Sequence, residues 1–388
     1  MEIAARFPAD LVRRVVGHLA AATLDAVDDC TTIDPSIFVD PELFATEREV
    51  LFRRSPHVVG WAGEVRNPGS FTTRDVAGVP VVITRSDDGQ LRAFLNACTH
   101  RGAQVAHGCG EARRLTCPYH AWTFDLHGQL AGQSDAWAFE GIDPATLGLM
   151  PLPVSEQCGL LVVGLEPDVV VDGFLDPIAP HLTGYGYATH ELVAERRYQV
   201  AANWKLAFDI NLEVYHVAYL HRETLHPMIV NHTVHEQHGR FGRHAFPMRS
   251  VAEWADRPEA EWPEPPMISV VHTLFPSCVV LETPVSSQMF RIYPGRVVGS
   301  CTVDVVEANL VPVGSDDERA HRMHGFELAC HILEKEDFPA AEQCQRGASG
   351  GARQFVFGRH EPMLQHWHRQ WAQACMTPSL LAATTNGR

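Results

Sequence analysis

The chain has 388 residues, 45% of them hydrophobic, and a formal net charge of -16 at pH 7. That length exceeds what one compact core usually holds, so two domains are expected. An acidic balance without a basic block excludes nucleic acid as a partner, and no apolar run reaches membrane-spanning length.

Leu11 to Val27 has the outline of a signal peptide, but Glu2, Asp10 and His18 do not suit one and no cleavage site follows. Pro8-Ala9-Asp10 instead opens an amphipathic helix with Leu11, Val15 and Leu19 on one face. A loop with Pro35 and Pro41 completes residues 1–50. From His57 the pattern turns to short strands at Val58 to Trp61, Val79 to Thr84 and Leu91 to Asn96, with Asp88-Gly89 and His127-Gly128 as tight turns. This all-β segment ends near Gly164, and 165–200 reads as a connection.

A helical stretch runs from about Asn203 to Leu220. The tract from Pro247 to Pro266, with Pro258, Pro263 and Pro265, reads as a lid or a mobile loop. Strands are expected at Ile268 to Leu274, Cys278 to Leu281, Gln288 to Tyr293 and Val297 to Val306. Helices are expected at Asp317 to Lys335, Pro339 to Gln345 and His360 to Ala374. Strands flanked by helices without βα alternation give an α+β class. The expected organisation is an N-terminal helical segment at 1–50 packing on the catalytic domain, a small all-β domain at 51–165, and a catalytic domain at 166–388.

Chemistry concentrates in two places. Cys98-Thr99-His100 is followed, sixteen residues later, by Cys117-Pro118-Tyr119-His120. Two thiolates on one iron and two imidazoles on the other are what a Rieske [2Fe–2S] centre needs. A Cys2His2 zinc site uses the same donors, but zinc fingers place a helix before the His pair, whereas both loops here sit in strand pattern. Of the ten Cys, the other eight lie in apolar or mixed contexts. They read as free thiols of a reducing cytoplasm, with Cys109 in a loop.

About a hundred residues on, Glu213, His216 and His221 offer ligands for a mononuclear iron, which needs two His and one carboxylate with open positions opposite. His216 and His221 are five residues apart, about 140° around an ideal helix. A straight helix cannot aim both at one metal, so a bulge or break is expected between them. Glu334, Glu336, Asp337 and Glu342 are all candidates for the acid. Phe208, Val217, His272, Leu274 and Leu281 are candidates for facing the iron. Trp254 and Trp262 are candidates for covering a substrate, where their rings suit a cation.

Cys98-Thr99-His100-Arg101-Gly102-Ala103 and Cys117-Pro118-Tyr119-His120-Ala121-Trp122 resemble the cluster loops of Rieske non-heme iron oxygenases, also called ring-hydroxylating α subunits. Respiratory Rieske proteins carry an extra Cys in each loop, where this chain has Ala103 and Tyr119. The resemblance spans about Leu51 to Trp371. It implies a helix-grip, START-like catalytic domain of antiparallel sheet with flanking helices. It implies iron ligands His216, His221 and Asp337, the acid lying at the start of a late helix. Glu213 matches the acid that bonds a ligand His of its own subunit and a cluster His of a neighbour, with Asp209 in support. Glu at this place resembles the oxygenases of quaternary ammonium compounds such as carnitine.

No G-x-G-x-x-G or Walker loop is present. Electrons are therefore expected from a separate NAD(P)H-dependent reductase or ferredoxin, passing through the cluster to iron that activates O2. The resemblance implies a head-to-tail homotrimer in the cytoplasm, acting on a small organic molecule without a membrane or nucleic-acid partner. Monooxygenation, as hydroxylation or oxidative demethylation, is the first reading, and cis-dihydroxylation of an aromatic ring the second. A Rieske electron carrier without oxygenase activity is the third, and it leaves Glu213, His216 and His221 unexplained.

Overall fold

The computed structural model describes residues 7–263, 266–284, 286–309, 315–377 and 380–384, so Glu2 and Pro265 lie outside the described residues. The chain divides into two compact units. One is Phe52–Asp176 with Gly186–Glu191, and the other gathers the N-terminal residues through Leu51, Pro177–Tyr185 and the chain from Leu192 on.

The first unit is built of small antiparallel sheets. Its five-stranded sheet runs Pro151–Leu152, Leu91–Leu95, Val79–Arg85, Ser70–Val76 and Cys109–Glu111. Ala77 and Gly78 both take positive φ between the paired Val76 and Val79, the two-residue hairpin whose twist suits antiparallel strands. Cys109, expected in a loop, instead opens an exposed edge strand that pairs with Ser70 to Thr72. Three residues of Cys-Gly-Glu are too short and too polar to show a strand pattern.

The second unit carries a seven-stranded antiparallel sheet. Its order is Glu191–Val200, Cys301–Asn309, Ser287–Pro294, Cys278–Glu282, Ile268–Leu274, Phe241–Pro247 and Val234–His238. Three of these strands were not foreseen. Glu191–Val200 falls in the expected connection, and Val234–His238 and Phe241–Pro247 fall where no element was assigned. Phe241–Pro247 is buried at every position, so its Arg243 and His244 lie inside and no polar–apolar alternation survives. Arg243 is held there by Glu236, and the equally buried Arg291 by Glu195 at 2.5 Å and Asp304 at 3.3 Å. Residues 30–33, expected in a loop, form a strand between Phe355–Phe357 and Leu381–Thr384.

The N-terminal helix Ala9–Ala21 buries Leu11, Val12, Val15 and Val16. Its core includes Trp254 and Ile268, with Trp262 packed at the edge. Trp254, 6% exposed and 5.3 Å from Trp262, pins the start of the Pro-rich tract to this core.

The helix Trp204–Asp209 leads into the site and is fixed at its start. Asn203 caps it, its Oδ1 accepting from the Lys205 N–H at 3.0 Å while its Nδ2 donates to the Phe38 and Val298 carbonyls. Beneath it the fully buried Glu47 pairs with Lys205 and accepts from the indoles of Trp204 at 2.8 Å and Trp371 at 2.9 Å.

Candidate metal centres

The two cluster loops share one backbone design. The Cys98 N–H bonds the Ala103 carbonyl at 2.8 Å, and the Gly102 N–H returns to the Cys98 carbonyl at 2.8 Å. The Cys117 N–H likewise bonds the Trp122 carbonyl, and Ala121 returns to Cys117. Closing such a turn needs a left-handed residue: Gly102 has φ 79°, and Ala121, at the matching place, has φ 59°.

Both turns bring their side chains together. Cys98 and Cys117 are 3% and 2% exposed, and their thiols lie side by side. Burial, reinforced by the neighbouring thiol, raises the Cys98 pKa above the ordinary thiol value. The His100 and His120 rings lie 4.6 Å apart. His100 stacks on Trp122 at 4.9 Å, and the His120 Nδ1 is buried without a hydrogen-bond partner. Two adjoining buried thiols, beside a buried unpartnered ring nitrogen, fit a cluster that supplies the missing positive charge.

The second centre begins where the helix Trp204–Asp209 tightens into a short 3-10 turn at Ile210–Leu212 and Glu213 goes extended. A further 3-10 turn at Tyr215–Ala218 carries His216 and ends before His221. The expected single helix is therefore broken, which frees both rings to face one point. Their Nε2 atoms lie 3.9 Å and 3.0 Å from the Asp337 Oδ1. That oxygen is buried without a hydrogen-bond partner, and one donor atom from each of the three residues falls within 4.8 Å of the others.

The rear of each ring is held. The His216 Nδ1 and Glu213 Oε1 are 2.5 Å apart, and Glu213 also accepts from the His216 N–H at 2.9 Å. The His221 Nδ1 meets the Glu336 Oε2 at 2.5 Å, an oxygen that also accepts from the Thr224 hydroxyl at 2.8 Å. With Nδ1–H donated to a carboxylate, each Nε2 presents a lone pair forward. Two imidazoles, an orphaned buried carboxylate oxygen and a wide cavity opposite fit iron(II) with open positions.

Of the candidate acids, Asp337 faces both rings, Glu336 backs His221, and Glu334 lies 3.9 Å from Arg196. Glu336 and Asp337 end a π-helical segment, Leu333–Asp337. Pro339 accounts for the widening: it has no N–H for the Lys335 carbonyl, and an α-helical course would set its ring against that group. Burial resists charging His221, but Asp337 and Glu336 outweigh it and raise its pKa.

Asp209 accepts from His368 at 2.9 Å, its bond going to the last helix rather than to Glu213. It lines a cavity of about 270 Å³ shared with Glu213, His216, Asp337 and Glu361. Burial, helped by the charges of Glu213 and Asp209, pushes the Glu361 carboxyl up to about 7. Neither Glu361 nor His368 carried a sequence signal, since Glu361 caps and His368 sits midway along the helix Pro362–Ala374, about 150 residues from Asp209 and Glu213.

On the other side of the iron residues lies a cavity of about 300 Å³. Val217 and Leu281 line it, as expected. Phe208 packs on Trp367 at 4.9 Å, and His272 and Leu274 are buried elsewhere in the sheet. Trp254 and Trp262 belong to the N-terminal helix core instead.

Comparison with known proteins follows this geometry. Residues 55–137 match the Rieske [2Fe-2S] domain, and 188–377 match the ring hydroxylating alpha subunit catalytic domain. The carnitine monooxygenase oxygenase subunit of Acinetobacter baumannii is 33% identical over 198 residues, 50% of this chain and 53% of the relative. The subunit of the same name from Escherichia coli K12 is 27% identical over 323 residues, 81% and 84% of the two chains. The match to the first of these spans about half that relative's length. A quaternary ammonium Rieske monooxygenase solved with L-carnitine is similar in fold, with TM-score 0.76 and 23% identity over 89% of this chain and 96% of its own.

Proposed function

The chain belongs to the ring-hydroxylating α subunits with a Rieske domain, and on that premise we propose that it is a terminal oxygenase of the monooxygenase type. It inserts one oxygen atom into a small organic molecule, by hydroxylation or oxidative demethylation. The observation that carries this reading is the convergence of His216, His221 and Asp337 at the wall of an apolar cavity, each ring backed by its own carboxylate.

Cys98, His100, Cys117 and His120 would hold the cluster, and His216, His221 and Asp337 the iron. When bound, the cluster supplies single electrons and the iron activates O2. The protein's own groups do the rest. Glu213 and Glu336 fix the imidazole tautomers and aim each Nε2 forward. Glu213 also borders the cavity that holds Asp209 and Glu361, so it stands where a proton or electron reaches the site from outside. The apolar cavity excludes water and holds the substrate beside the open positions.

Electrons come, in this reading, from a separate NAD(P)H-dependent reductase or ferredoxin. In support, the pairings described within both units are antiparallel, whereas a dinucleotide fold needs parallel βαβ units. A head-to-tail homotrimer would set one subunit's cluster against the next subunit's Glu213. Residues 51–165 would form the cluster domain and 166–388 the catalytic domain, with 1–50 joined to the latter. The compact units that meet at Leu51 and Phe52 support the first of these boundaries, while the cluster unit runs on to Asp176. None of the ten cysteines forms a disulfide, which supports a cytoplasmic enzyme, and no described helix is long and apolar enough to cross a membrane.

Metal analysis with labelled O2 tests the proposal. An oxygenase holds about three irons and two sulfides per chain and puts one labelled atom into product. About two irons with no labelled product marks an electron carrier, and two labelled atoms mark a dioxygenase.

A further inference from the structure

The chamber beside the iron residues adjoins a second of about 320 Å³, and Met228, Met248, Thr283, Gln288 and Gly325 border both. The two differ in chemistry. Among the described residues no Lys, Arg, Tyr or Trp lines the first chamber, and its acids are Glu213 and Asp337, already committed to the iron centre. Its walls are side chains such as Val217, Phe246, Val279, Leu281 and Phe290. The second chamber adds Glu307, His321 and Arg322. At the junction the Gln288 Nε2 donates to the Glu307 Oε2 at 3.0 Å, both residues being under 10% exposed.

A trimethylammonium group could be desolvated here only against two Phe rings, the weakest of the cation-binding aromatics, with no acid of its own. The two indoles able to form a cage, Trp254 and Trp262, are spent on the N-terminal helix core. A carboxylate reaching the second chamber would meet the Glu307 carboxyl, on which the charge of Arg322 already acts. A neutral chain meets neither cost, and a single hydroxyl or amide on it would find the Gln288–Glu307 pair.

We propose that the substrate is an uncharged, elongated molecule, its apolar body beside the iron residues and one hydrogen-bonding group at Gln288 and Glu307. This rests on the oxygenase reading and departs from the quaternary ammonium compounds named for the relatives. Gly325 borders both chambers, and a Cβ there meets nothing within 4 Å, so a side chain at this place on the helix Asp316–Ile332 has open space at their shared border.

The test uses holoenzyme with its irons counted and calorimetric titration with an isosteric pair, 4-tert-butylbenzyl alcohol and 4-(trimethylammonio)benzyl alcohol. The neutral alcohol is expected to bind at least about tenfold tighter. Equal or tighter binding of the cation, or no binding by either, overturns the proposal. Gln288→Leu is expected to weaken the alcohol about tenfold and leave 4-tert-butyltoluene unchanged. Gly325→Leu, which fills open space with a better helix former, is expected to abolish binding of the longer 4-(4-tert-butylphenyl)butan-1-ol while retaining tert-butylbenzene. Variants that bind all probes like the parent refute the two-chamber arrangement. An iron count of about two would instead reject the oxygenase reading, a separate outcome.

Discussion

At the scale of single residues, the centre is defined by which atom of each group is already occupied. Glu213 spends one oxygen on the His216 ring and the other on its N–H. Glu213→Gln keeps an amide oxygen for the Nδ1 proton but loses the charge. It should retain both metals and lower turnover by at least about a hundredfold, the scale set for a positioned proton-handling group. Metal analysis beside steady-state rates checks this, and undiminished activity would refute the bridging role. Glu361 gives a pH signature. Its folded pKa is raised to about 7, above the ordinary Glu value, so the stability linked to its neutral form is complete in acid and is lost as pH rises through about 7. Glu361→Gln should therefore flatten the decline in melting temperature between about pH 4.5 and 7, by the equivalent of about 1–2 kcal/mol after allowance for partial solvation. A parent protein with no decline over that range would contradict the assignment. The buried Glu47–Lys205 pair behaves differently again. Lys205→Met leaves an uncompensated carboxylate among indoles and should cost about 3–5 kcal/mol, read from denaturant midpoints.

At the scale of elements, function depends on departures from regularity. The π-helical segment Leu333–Asp337 turns adjacent acids to different jobs, Glu336 behind His221 and Asp337 in front of it. Pro339→Ala restores the N–H that an ordinary α-helix needs, so the segment should relax to α and carry both acids out of place. The expected result is loss of the mononuclear iron, from about three irons per chain to about two, with the visible cluster spectrum intact. Unchanged iron would show that Pro339 does not set the segment. The cluster loops offer a matched pair. Gly102→Val puts a β-branched residue at φ 79° and should cost about 1–2 kcal/mol and reduce cluster occupancy, whereas Ala121→Gly at the equivalent position should be neutral or slightly stabilising.

At the scale of the whole molecule, the proposed ring makes a prediction that no single chain satisfies. A Cys117→Ser variant lacks the cluster and a His221→Ala variant lacks the iron, and each alone is inactive. Co-expressed in equal amounts, they should recover about a quarter of parental activity, the random share of junctions that join an intact cluster to an intact iron site. Transfer confined within one chain predicts none. The acidic surface works in the same direction for the electron donor: a chain of net charge -16 favours a reductase presenting a basic face, so turnover at limiting reductase should fall as salt rises.

The sequence by itself determined what depends on neighbours along the chain. Cys98 and His100, or Cys117 and His120, sit close enough that a tight turn alone aims them together, and the angle between His216 and His221 required the break that separates them. Ile268–Leu274 was legible because a continuous apolar run needs no partner to be recognised. Only the tertiary structure decided that Glu336 backs His221 across 115 residues, that Trp254 and Trp262 serve the N-terminal helix, and that Gln288 looks into two chambers. Strands such as Phe241–Pro247 were hidden because every position is buried, Arg243 included, so no polar–apolar alternation marks them. Local spacing fixes which donors a metal finds, but the lining of a cavity is assembled from segments whose proximity no local pattern records.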